Sequence, residues 1–429
     1  MLDPKWVREH PDEVRRAARL KRMDPEAVDR WLAADAEHRR VLTESEGLRA
    51  RLKEASRKLG AMPPEERAAA AAGLRADKAR LKELERVERE LEAEARSWAL
   101  RLPMPPAPEV PEGDDDSDNV ELWRRGEPTA FDFEPRDHVA LGELHGFLDI
   151  PRGVELAGSR NYLLTGDLAL LERAVLQAAL DHMLERGFEP VSVPTLVKRE
   201  CLEGTGYFPG GEEQAYAVEK DGLYLVGTAE VPLTSIHAGE VLDAEALPIR
   251  RVALSPCYRR EAGTYGKDTK GLYRVHQFWK VEQVVIGPAD EEWSRREHER
   301  MLGHATDFLD RLELPYRVVN VSSGDLGQGQ VQKFDVECWM PSRNTWGETH
   351  SASRFHDFQA RRLGLRYRED GKPVFCHTLN NTVIATPRVL IALLENHQRA
   401  DGSIALPESL RPWLGGRELL VPPGAATEA

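Results

Sequence analysis

Two runs of apolar residues with heptad-like spacing, separated by a proline pair, impose the strongest constraint on how this chain can fold. The apolar positions of the two runs are Leu42, Leu48, Leu52, Ala55 and Leu59, then Leu74, Leu81, Leu84, Leu91, Ala95 and Trp98. Such spacing is typical of helices that pack as a coiled coil. The break at Gly60-Ala61-Met62-Pro63-Pro64 suits a turn followed by a new helix start. The pattern therefore predicts a long antiparallel helical hairpin that projects as an arm.

The distal part of this arm differs in charge from the chain as a whole. The 429 residues have a formal net charge of −14, whereas residues 43–82 contain ten basic and six acidic side chains. Two interpretations are open: a solvated coiled coil with ion pairs along its helices, or a basic finger that binds phosphates. The candidate phosphate contacts are Arg49, Arg51, Lys53, Arg57, Lys58, Arg75, Lys78 and Arg80.

Composition divides the chain into four parts. The predicted parts are an N-terminal domain with the arm at 1–102, a proline-rich then acidic linker at 103–119, one large core at 120–420 and a loose tail at 421–429. We expect the linker to be extended and unpacked. In the core, helix-like runs at 167–187 and 290–312 separate clusters of successive strands. This order predicts an α+β fold built on an antiparallel sheet, flanked by helices.

Several classes of protein are excluded by what the sequence lacks. It has no apolar run of about 18 residues that could span a membrane, and its first residues lack the apolar stretch of a signal peptide. The four cysteines, Cys201, Cys257, Cys338 and Cys376, are far apart, which argues against a disulfide framework or a zinc knuckle and for a reducing, cytoplasmic location. Neither a P-loop nor a dinucleotide-binding glycine motif is present. A nucleotide would therefore be held by side chains.

A strand–loop–strand segment of the core concentrates candidate chemistry. Side-chain alternation predicts two shared faces, Arg259 with Glu261 and Arg274 with Phe278 and Glu282, across a polar loop at 264–271. A guanidinium suits phosphate or carboxylate, an aromatic ring can stack on a base, and a carboxylate can accept from a hydroxyl or amine. The same residues would also fit a structural hairpin with cross-strand ion pairs and a half-buried phenylalanine.

The third candidate segment precedes an apolar helix near the C-terminus. Thr386 is expected to cap this helix, with Pro387 at its first position and Arg388 in its first turn. The N-terminal end of a helix carries the positive end of its dipole, so a cation there is unfavourable and an anion should compensate it. That anion could be an acidic neighbour or a bound phosphate.

These segments together resemble the signature of class II aminoacyl-tRNA synthetases and, within them, the bacterial type of the seryl-tRNA synthetase family. The further motifs that carry the resemblance are Gly204-Thr205-Gly206-Tyr207-Phe208-Pro209, Gly227-Thr228-Ala229-Glu230, Glu348-Thr349-His350-Ser351, Asp357-Phe358-Gln359-Ala360-Arg361-Arg362 and Asn380-Asn381-Thr382. Arg186-Gly187-Phe188 with Val193-Pro194 resembles the first motif of the class, which implies a homodimer. The resemblance covers nearly the whole chain.

The resemblance implies roles for individual residues. Two residues are implied to be catalytic. Arg259 would bind the α-phosphate and the serine carboxylate, and Arg388 would bind the γ-phosphate. The implied ATP-binding residues are Arg259, Arg260, Glu261, Val275, Phe278, Glu348, Thr349, His350, Ser351 and Arg388. The implied serine-binding residues are Thr228, Ala229, Glu230, Arg259, Glu282 and Thr382, and the implied Mg²⁺ ligands are Glu348 and Ser351. His350 is expected to be structural and not a catalytic base.

The implied activity is the ATP-dependent formation of seryl-adenylate and its transfer to the 3′ end of tRNA(Ser), and of tRNA(Sec) where that tRNA is present. The arm would then be the tRNA-binding element. One alternative is a non-catalytic coiled-coil RNA-binding protein built on a synthetase core. Others are a relative that charges a carrier protein and a ligase for another small amino acid. Arg259, Glu282, Glu348 and Arg388 are all present, and they argue against a core that has lost its chemistry.

Overall fold

The computed structural model describes residues 1–61, 63–263 and 270–424, excluding the side chains of residues 60, 61 and 64–73. The chain divides into two compact units, Met1–Pro105 and Pro106–Ala429. Three parts of the sequence predictions lie outside the described residues: Met62 of the predicted turn, residues 264–269 of the predicted loop and residues 425–429 of the predicted tail.

The first unit is entirely helical. Its helices are α1 (Pro4–Glu9), α2 (Pro11–Leu20), α3 (Glu26–Ala61) and α4 (Pro64–Ala99). The last two contain 36 residues each, which corresponds to about 54 Å at 1.5 Å per residue. They pair as the predicted hairpin. The short helices α1 and α2, which the heptad pattern does not reveal, bury Val7 and Val14 in a cluster with Trp31 of α3.

The seam of the hairpin follows the predicted heptad positions. Leu48 and Leu52 of α3 are buried against Leu84 of α4. Val41 extends this cluster by two turns, and the hydroxyl of Ser45 donates to Glu88 of the opposite helix across 2.7 Å. Burial of the apolar stripe holds the two helices together, since helices of this kind derive their stability from packing.

The second unit combines helices with a large sheet. Its helices are α5 (His138–His145), α6 (Ile150–Ala157), α7 (Gly166–Leu184), α8 (Arg199–Thr205), α9 (Glu230–Ser235), α10 (Glu291–Arg311), α11 (Phe358–Leu363) and α12 (Arg388–Asn396). Its strands are β1 (Val120–Arg125), β2 (Leu148–Asp149), β3 (Leu163–Leu164), β4 (Glu189–Pro190), β5 (Leu196–Lys198), β6 (Tyr216–Val218), β7 (Leu223–Leu225), β8 (Val241–Leu242), β9 (Ile249–Tyr258), β10 (Gln277–Gly287), β11 (Tyr316–Asn320), β12 (Gln332–Met340), β13 (Thr345–Arg354), β14 (Arg366–Glu369), β15 (Lys372–Phe375), β16 (His377–Thr386), β17 (Ile404–Ala405) and β18 (Leu419–Leu420). Helices α7 and α10 confirm the two predicted helical runs.

Eight strands form the main sheet, in the order β1-β11-β12-β13-β16-β10-β9-β4. All neighbours in it are antiparallel except the edge pair β4 and β9. This confirms the predicted α+β class. The register sets Glu282 of β10 opposite Thr382 of β16 and Ala253 of β9. Residues far apart in sequence thereby become neighbours on one face.

The two faces of the sheet have different roles. Val281 and Val285 of β10 enter the large core that α7, α10 and α12 cover. Phe278, Lys280 and Glu282 of the same strand line a cavity on the other side. Because strand side chains alternate, one strand can build the core with one set of residues and the site with the other.

The segment predicted as an unpacked linker, 103–119, is extended, but hydrogen bonds and an ion pair join it to core residues of the second unit. The amide of Ala107 donates to the carbonyl of Val331 across 2.9 Å, and Asn320 donates to the carbonyl of Glu109. The carboxylate of Glu109 lies 2.9 Å from the guanidinium of Arg354, whose side chain is fully buried. The prediction of an unpacked linker is therefore wrong, because extended backbone presents donors and acceptors that the core residues use.

The cysteines are free, and three of the four are buried. Cys257 of β9 and Cys338 of β12 are fully buried, and all four cysteines are free thiols. Burial raises the pKa of the Cys338 thiol to about 12, which keeps it protonated and unreactive. Among the described residues, no helix is both long and apolar enough to cross a lipid bilayer.

Candidate active site

One cavity on the polar face of the sheet gathers most of the residues that the sequence singles out. The predicted residues that line it are Glu230, Arg259, Glu261, Val275, Phe278, Glu282, Glu348, Thr349, His350, Ser351, Thr382 and Arg388. They come from β10, β13 and β16, from the start of α9 and α12, and from the segment that connects β9 to β10. With Arg274, which also lines it, the cavity contains three guanidiniums beside the Phe278 ring and several carboxylates.

Arg259 and Phe278 meet at one end of this cavity. The Arg259 guanidinium lies 5.2 Å from the centre of the Phe278 ring. Two hydrogen bonds to His276 fix the backbone of Arg259. The Arg259 amide donates to the His276 carbonyl at 2.9 Å, and the His276 ring contacts the Arg259 carbonyl at 3.0 Å. A flat ligand on Phe278 would therefore lie beside a cation.

The predicted face pairing in this hairpin is partly wrong. Strand β9 ends at Tyr258, and Glu261 has a positive φ of 52°, so Arg259 and Glu261 do not share a strand face. Arg274 also precedes the start of β10 at Gln277. Both residues nevertheless reach the cavity, where Arg274 and Glu261 form an ion pair at 3.3 Å. The expected ion pair is therefore present, but it joins the two ends of the segment between β9 and β10 and does not cross between strands.

Glu282 forms the opposite, buried end of the cavity. Its side chain is about 2% exposed, and the ammonium of Lys280 lies 2.5 Å from one of its oxygens. The hydroxyl of Thr382, on the neighbouring strand, donates to the same oxygen across 3.3 Å. Lys280 lies two positions after Phe278 and two positions before Glu282, so alternation alone could have identified Lys280 as a site residue.

Glu230 is the second buried carboxylate of this end. One oxygen accepts from the Tyr207 hydroxyl and the other from the Gln359 amide, both at 2.8 Å. Burial, and secondarily the negative charge of Glu282, raise the pKa of Glu230 to about 7. This carboxyl group therefore changes charge near neutral pH.

Arg388 and Glu348 pair across the middle of the cavity. The Arg388 guanidinium donates to the Glu348 carboxylate at 3.2 Å and lies 4.4 Å from the centre of the Tyr273 ring. Desolvation in the cavity would raise the pKa of Glu348, but the positive charges of Arg388, Lys333 and Arg259 outweigh it and lower that pKa below its usual range. The anion expected near Arg388 is thus an acidic neighbour.

The predicted cap of the last helix is wrong. Thr386 is the final residue of β16, and its hydroxyl donates to Glu172 of α7 across 2.8 Å. Helix α12 begins at Arg388, after Pro387, without a capping side chain. Arg388 does occupy the first turn, as the sequence predicts, because the strand runs directly into the helix.

Glu348 and Ser351 fit a divalent cation of the Mg²⁺ type. Both line the cavity, and both offer oxygen, the ligand that Mg²⁺ prefers. A β-bulge opposite Val336 and Glu337 separates the two residues on β13 and lets both reach the same side. Among the described residues there is no cluster of three or more His, Cys, Asp or Glu suited to a metal.

Three predicted site residues do not line this cavity. Thr228 is buried, and its hydroxyl accepts from the amide of Glu230 at 3.1 Å, whereas Ala229 precedes α9 and is also buried. Arg260 is exposed and lies 5.9 Å from the Tyr216 ring. The additional lining residues that the sequence analysis gave no role are Tyr207, Tyr273, Lys280, Gln330, Ser353 and Asn380.

His350 has the environment of a structural histidine. It is 1% exposed, and its Nδ1 lies 2.7 Å from the Thr349 hydroxyl. Burial lowers its pKa to about 4, so the ring is neutral at pH 7 and does not contribute charge to the cavity.

The eight candidate phosphate contacts of the arm belong to the first unit and are exposed. Arg49 pairs with Glu85 at 3.1 Å and Arg80 with Glu44 at 2.8 Å, each between the two helices. Lys58 pairs with Glu54 in its own helix. The remaining candidates, Arg51, Lys53, Arg57, Arg75 and Lys78, have no ion pair within the part of the chain that the structure describes. The ion-paired interpretation therefore applies to Arg49, Lys58 and Arg80, and phosphate binding by the other five stays a prediction.

Known families match both units. Residues 1–106 match the family model described as the seryl-tRNA synthetase N-terminal domain, and residues 216–397 match the tRNA synthetase class II core domain (G, H, P, S and T). The serine–tRNA ligase of Deinococcus radiodurans is 47% identical over 424 residues, covering 99% of this chain and 100% of that enzyme. The serine–tRNA ligase of Mycobacterium avium (strain 104) is 47% identical over 429 residues, covering 99% of each chain.

A solved structure is similar over the same extent. The crystal structure of seryl-tRNA synthetase from Pyrococcus horikoshii complexed with ATP superimposes with a TM-score of 0.92 at 39% identity. The match covers 98% of this chain and 100% of that one. The similarity therefore includes the helical hairpin and the sheet with its cavity.

Proposed function

The chain belongs to the seryl-tRNA synthetase family, and from this membership we propose that it is a serine–tRNA ligase that activates L-serine with ATP and transfers it to tRNA. The observation that carries the proposal is that one cavity combines groups for each part of a seryl-adenylate. Phe278 and Glu282 lie four residues apart on β10, about 13 Å at 3.3 Å per residue, and Arg259, Arg388 and Glu230 line the same cavity. This spacing suits a seryl-adenylate with its base at Phe278 and its amino acid at Glu282.

ATP would occupy the end formed by Phe278. Its adenine can stack on the ring, with Val275 and Glu261 at the edge of the base. Arg259 is placed to hold the α-phosphate and the serine carboxylate, and Arg388 the γ-phosphate, because a planar guanidinium binds such oxygens through paired hydrogen bonds.

Glu348 and Ser351 would hold Mg²⁺ on the phosphates, where the ion supplies positive charge to the reacting oxygens. Thr349 and His350 support this strand, since Thr349 donates to the carbonyl of Val336 and contacts the His350 ring. Arg388, released from Glu348 by the bound nucleotide, would then be free to hold phosphate.

Serine would occupy the buried end. Its ammonium is complementary to the carboxylates of Glu230 and Glu282, and its hydroxyl can exchange hydrogen bonds with Thr382 and Glu282. Thr228 and Ala229 act indirectly, by setting the start of α9 and with it the position of Glu230. A polar pocket of this kind rejects alanine, because the groups that bind the hydroxyl would be left unpaired.

The chemistry requires little more than positioning and charge stabilisation. The serine carboxylate is already ionised at neutral pH, so no general base is needed for its attack on the α-phosphate. Arg259 orients the two reactants and stabilises the negative charge that develops on the phosphate oxygens, while pyrophosphate leaves. The 3′-terminal hydroxyl of tRNA then accepts the seryl group.

The arm is proposed to bind tRNA(Ser), and tRNA(Sec) where an organism makes it. Arg51, Lys53, Arg57, Arg75 and Lys78 support this, because they are exposed and have no ion-pair partner among the residues whose side chains are described, and such a cation is available to a phosphate. The hairpin would then recognise the backbone of the tRNA, with little sequence readout. Residues 1–102 would form the tRNA-binding domain and residues 120–420 the aminoacylation domain.

We further propose that the protein is a homodimer and acts in the cytoplasm. Support for the dimer comes from α7, whose Leu170 is 50% exposed beside a groove that Trp279 and Trp413 also line. A second copy would remove this apolar surface from water. Support for the location comes from the four free cysteines.

The complete reaction can be tested with labelled serine, ATP, Mg²⁺ and a tRNA(Ser) transcript. We expect acid-precipitable serine to accumulate on this tRNA and not on a tRNA(Ala) transcript. A variant in which residues 40–88 are replaced by a short turn should lose charging but retain adenylate formation. Charging that is absent in the full-length protein, although tRNA binds, would instead favour a non-catalytic RNA-binding protein.

A further inference from the structure

A network of side-chain hydrogen bonds ends on Glu230, which is 5% exposed. The Gln359 amide donates to one oxygen of Glu230 and the Tyr207 hydroxyl donates to the other, both at 2.8 Å. Gln359 belongs to α11 and is 1% exposed, whereas Tyr207 follows α8 at the mouth of the cavity. Both carboxylate oxygens are thereby fixed in direction.

The amide of Gln359 is itself held in one orientation. Its second N–H donates to the carbonyl of Thr205 at 3.0 Å, and its oxygen accepts from the hydroxyl of Thr378 at 2.6 Å. If the amide turned over, its oxygen would face both the Thr205 carbonyl and the Glu230 carboxylate. Three elements, α8, α11 and β16, therefore force Gln359 to present a donor to Glu230.

Glu230 has no cationic partner of its own among the described residues. The charged and titratable groups that act on it are Glu282, Tyr207 and Lys280. Lys280 is already paired with Glu282 at 2.5 Å. A buried carboxylate with two neutral donors and no ion pair is therefore available to a cationic group of a ligand.

We propose that Gln359, together with Tyr207, is a positioning residue for the substrate amino acid: it holds the Glu230 carboxylate in the direction and charge state that bind the α-ammonium of serine. The inference rests on the proposed function, because the ammonium belongs to the serine that this pocket is proposed to take. Gln359 does not itself contact the reacting atoms, and it acts only through Glu230.

The test compares steady-state pyrophosphate exchange by the wild type with that of Gln359→Leu, Gln359→Glu and Tyr207→Phe. A hydrogen bond to a charged group contributes enough that its loss should raise the KM for serine roughly 10- to 100-fold. The KM for ATP should stay within about twofold. Gln283→Met is the matched control, because Gln283 is a buried glutamine whose amide donates to Met301 and Asn381, away from Glu230.

The Gln359→Glu variant distinguishes positioning from simple structural support. An ionised carboxylate at position 359 would repel Glu230, whereas a protonated one can donate to it. The activity of this variant relative to the wild type should therefore increase as the pH falls from about 8 to about 6. A residue with a purely structural role would give the same ratio at every pH.

The outcomes separate this inference from the proposed function. If the wild type shows no serine-dependent exchange, the proposed function fails. If the wild type is active, but the Gln359 and Tyr207 variants keep the wild-type KM for serine and a constant activity ratio with pH, the positioning role is overturned. An equal rise in the KM for serine in Gln283→Met would also overturn it, since any buried glutamine would then have the same effect.

Discussion

The guanidinium of Arg388 donates to the carboxylate of Glu348 across 3.2 Å, so that the proposed phosphate-binding cation and the proposed metal ligand neutralise each other. A second bond from the same guanidinium, to the carbonyl of Glu348 at 2.9 Å, keeps the two residues together. A nucleotide and metal ion bound as proposed would have to replace this ion pair. Binding would then exchange one set of opposite charges for another, which keeps both groups compensated.

Replacing Arg388 by lysine should impair the use of ATP more than the use of serine. Lysine retains the charge but loses the planar fork and the contact with the Tyr273 ring. We expect the KM for ATP to rise roughly tenfold or more in pyrophosphate exchange, with the KM for serine nearly unchanged. Arg343→Lys is the control, since Arg343 contacts the same ring at 4.2 Å but does not line the cavity. Equal effects of the two substitutions would contradict the assignment.

The buried pair of Lys280 and Glu282 allows stability and function to be separated. Their side chains are about 7% and 2% exposed. Lys280→Met should lower the free energy of unfolding by about 3–5 kcal/mol, because it leaves a buried carboxylate unpaired. The double variant Lys280→Met/Glu282→Leu should recover much of this stability in denaturant titrations and still lack serine-dependent exchange. Recovery of exchange together with stability would show that Glu282 has only a structural role.

The unpaired cations of the arm should matter for tRNA and not for adenylation. We expect the triple variant Lys53→Gln/Arg57→Gln/Lys78→Gln to reduce kcat/KM for tRNA(Ser) roughly 10- to 100-fold and to weaken its dependence on salt concentration. Serine-dependent pyrophosphate exchange should be unchanged. Arg86→Gln serves as control, since Arg86 pairs with Glu83 and Glu90, both at 2.6 Å. A salt dependence that stays the same in the triple variant would exclude direct phosphate contacts.

Serine binding should release a proton near neutral pH. Burial raises the pKa of Glu230 from 4.5 to about 7, so part of the unliganded protein holds a proton on this group at pH 6.5. The ammonium of serine favours the ionised form and should expel that proton. Calorimetry of serine binding in buffers of different ionisation enthalpy should detect up to about one proton released at pH 6.5 and almost none at pH 8.5.

The raised pKa of Glu230 also sets the direction in which folding stability changes with pH. Because its pKa is higher in the folded protein, the folded state binds more protons than the unfolded state between pH 4.5 and about 7. The contribution of Glu230 to folding stability therefore increases as the pH falls through 7, and above 7 the buried charge is destabilising. Glu230→Gln should remove this pH-dependent component from the unfolding free energy and should abolish the proton release. A release that persists in Glu230→Gln would assign the proton to another group.

Periodicity in the sequence predicted the parts of the fold that repeat. The heptad positions Leu48, Leu52 and Leu84 form the seam of the hairpin, because an apolar stripe on each helix has no other partner. Alternation in β10 likewise places Phe278 and Glu282 in one cavity. Both predictions use the number of residues after which a side chain returns to the same face, and this number follows directly from helix or strand geometry.

The errors occur where an element ends or where distant segments meet. A local pattern cannot show that β9 ends at Tyr258, so the predicted shared face of Arg259 and Glu261 is wrong. Thr386 resembles a cap in sequence, but its hydroxyl donates to Glu172, about two hundred residues earlier. The role of Gln359 depends on contacts with Thr205, Glu230 and Thr378, and such a meeting of three elements has no sequence signature.

The most direct test is the exchange of labelled pyrophosphate into ATP, without tRNA, in the presence of serine, threonine, alanine or glycine. The account predicts rapid exchange with serine, slow exchange with threonine and almost none with alanine or glycine, and it predicts that Glu282→Ala loses the serine-dependent exchange. No exchange with any of the four amino acids, in protein that is folded and binds ATP, would contradict the assignment of this cavity to serine activation.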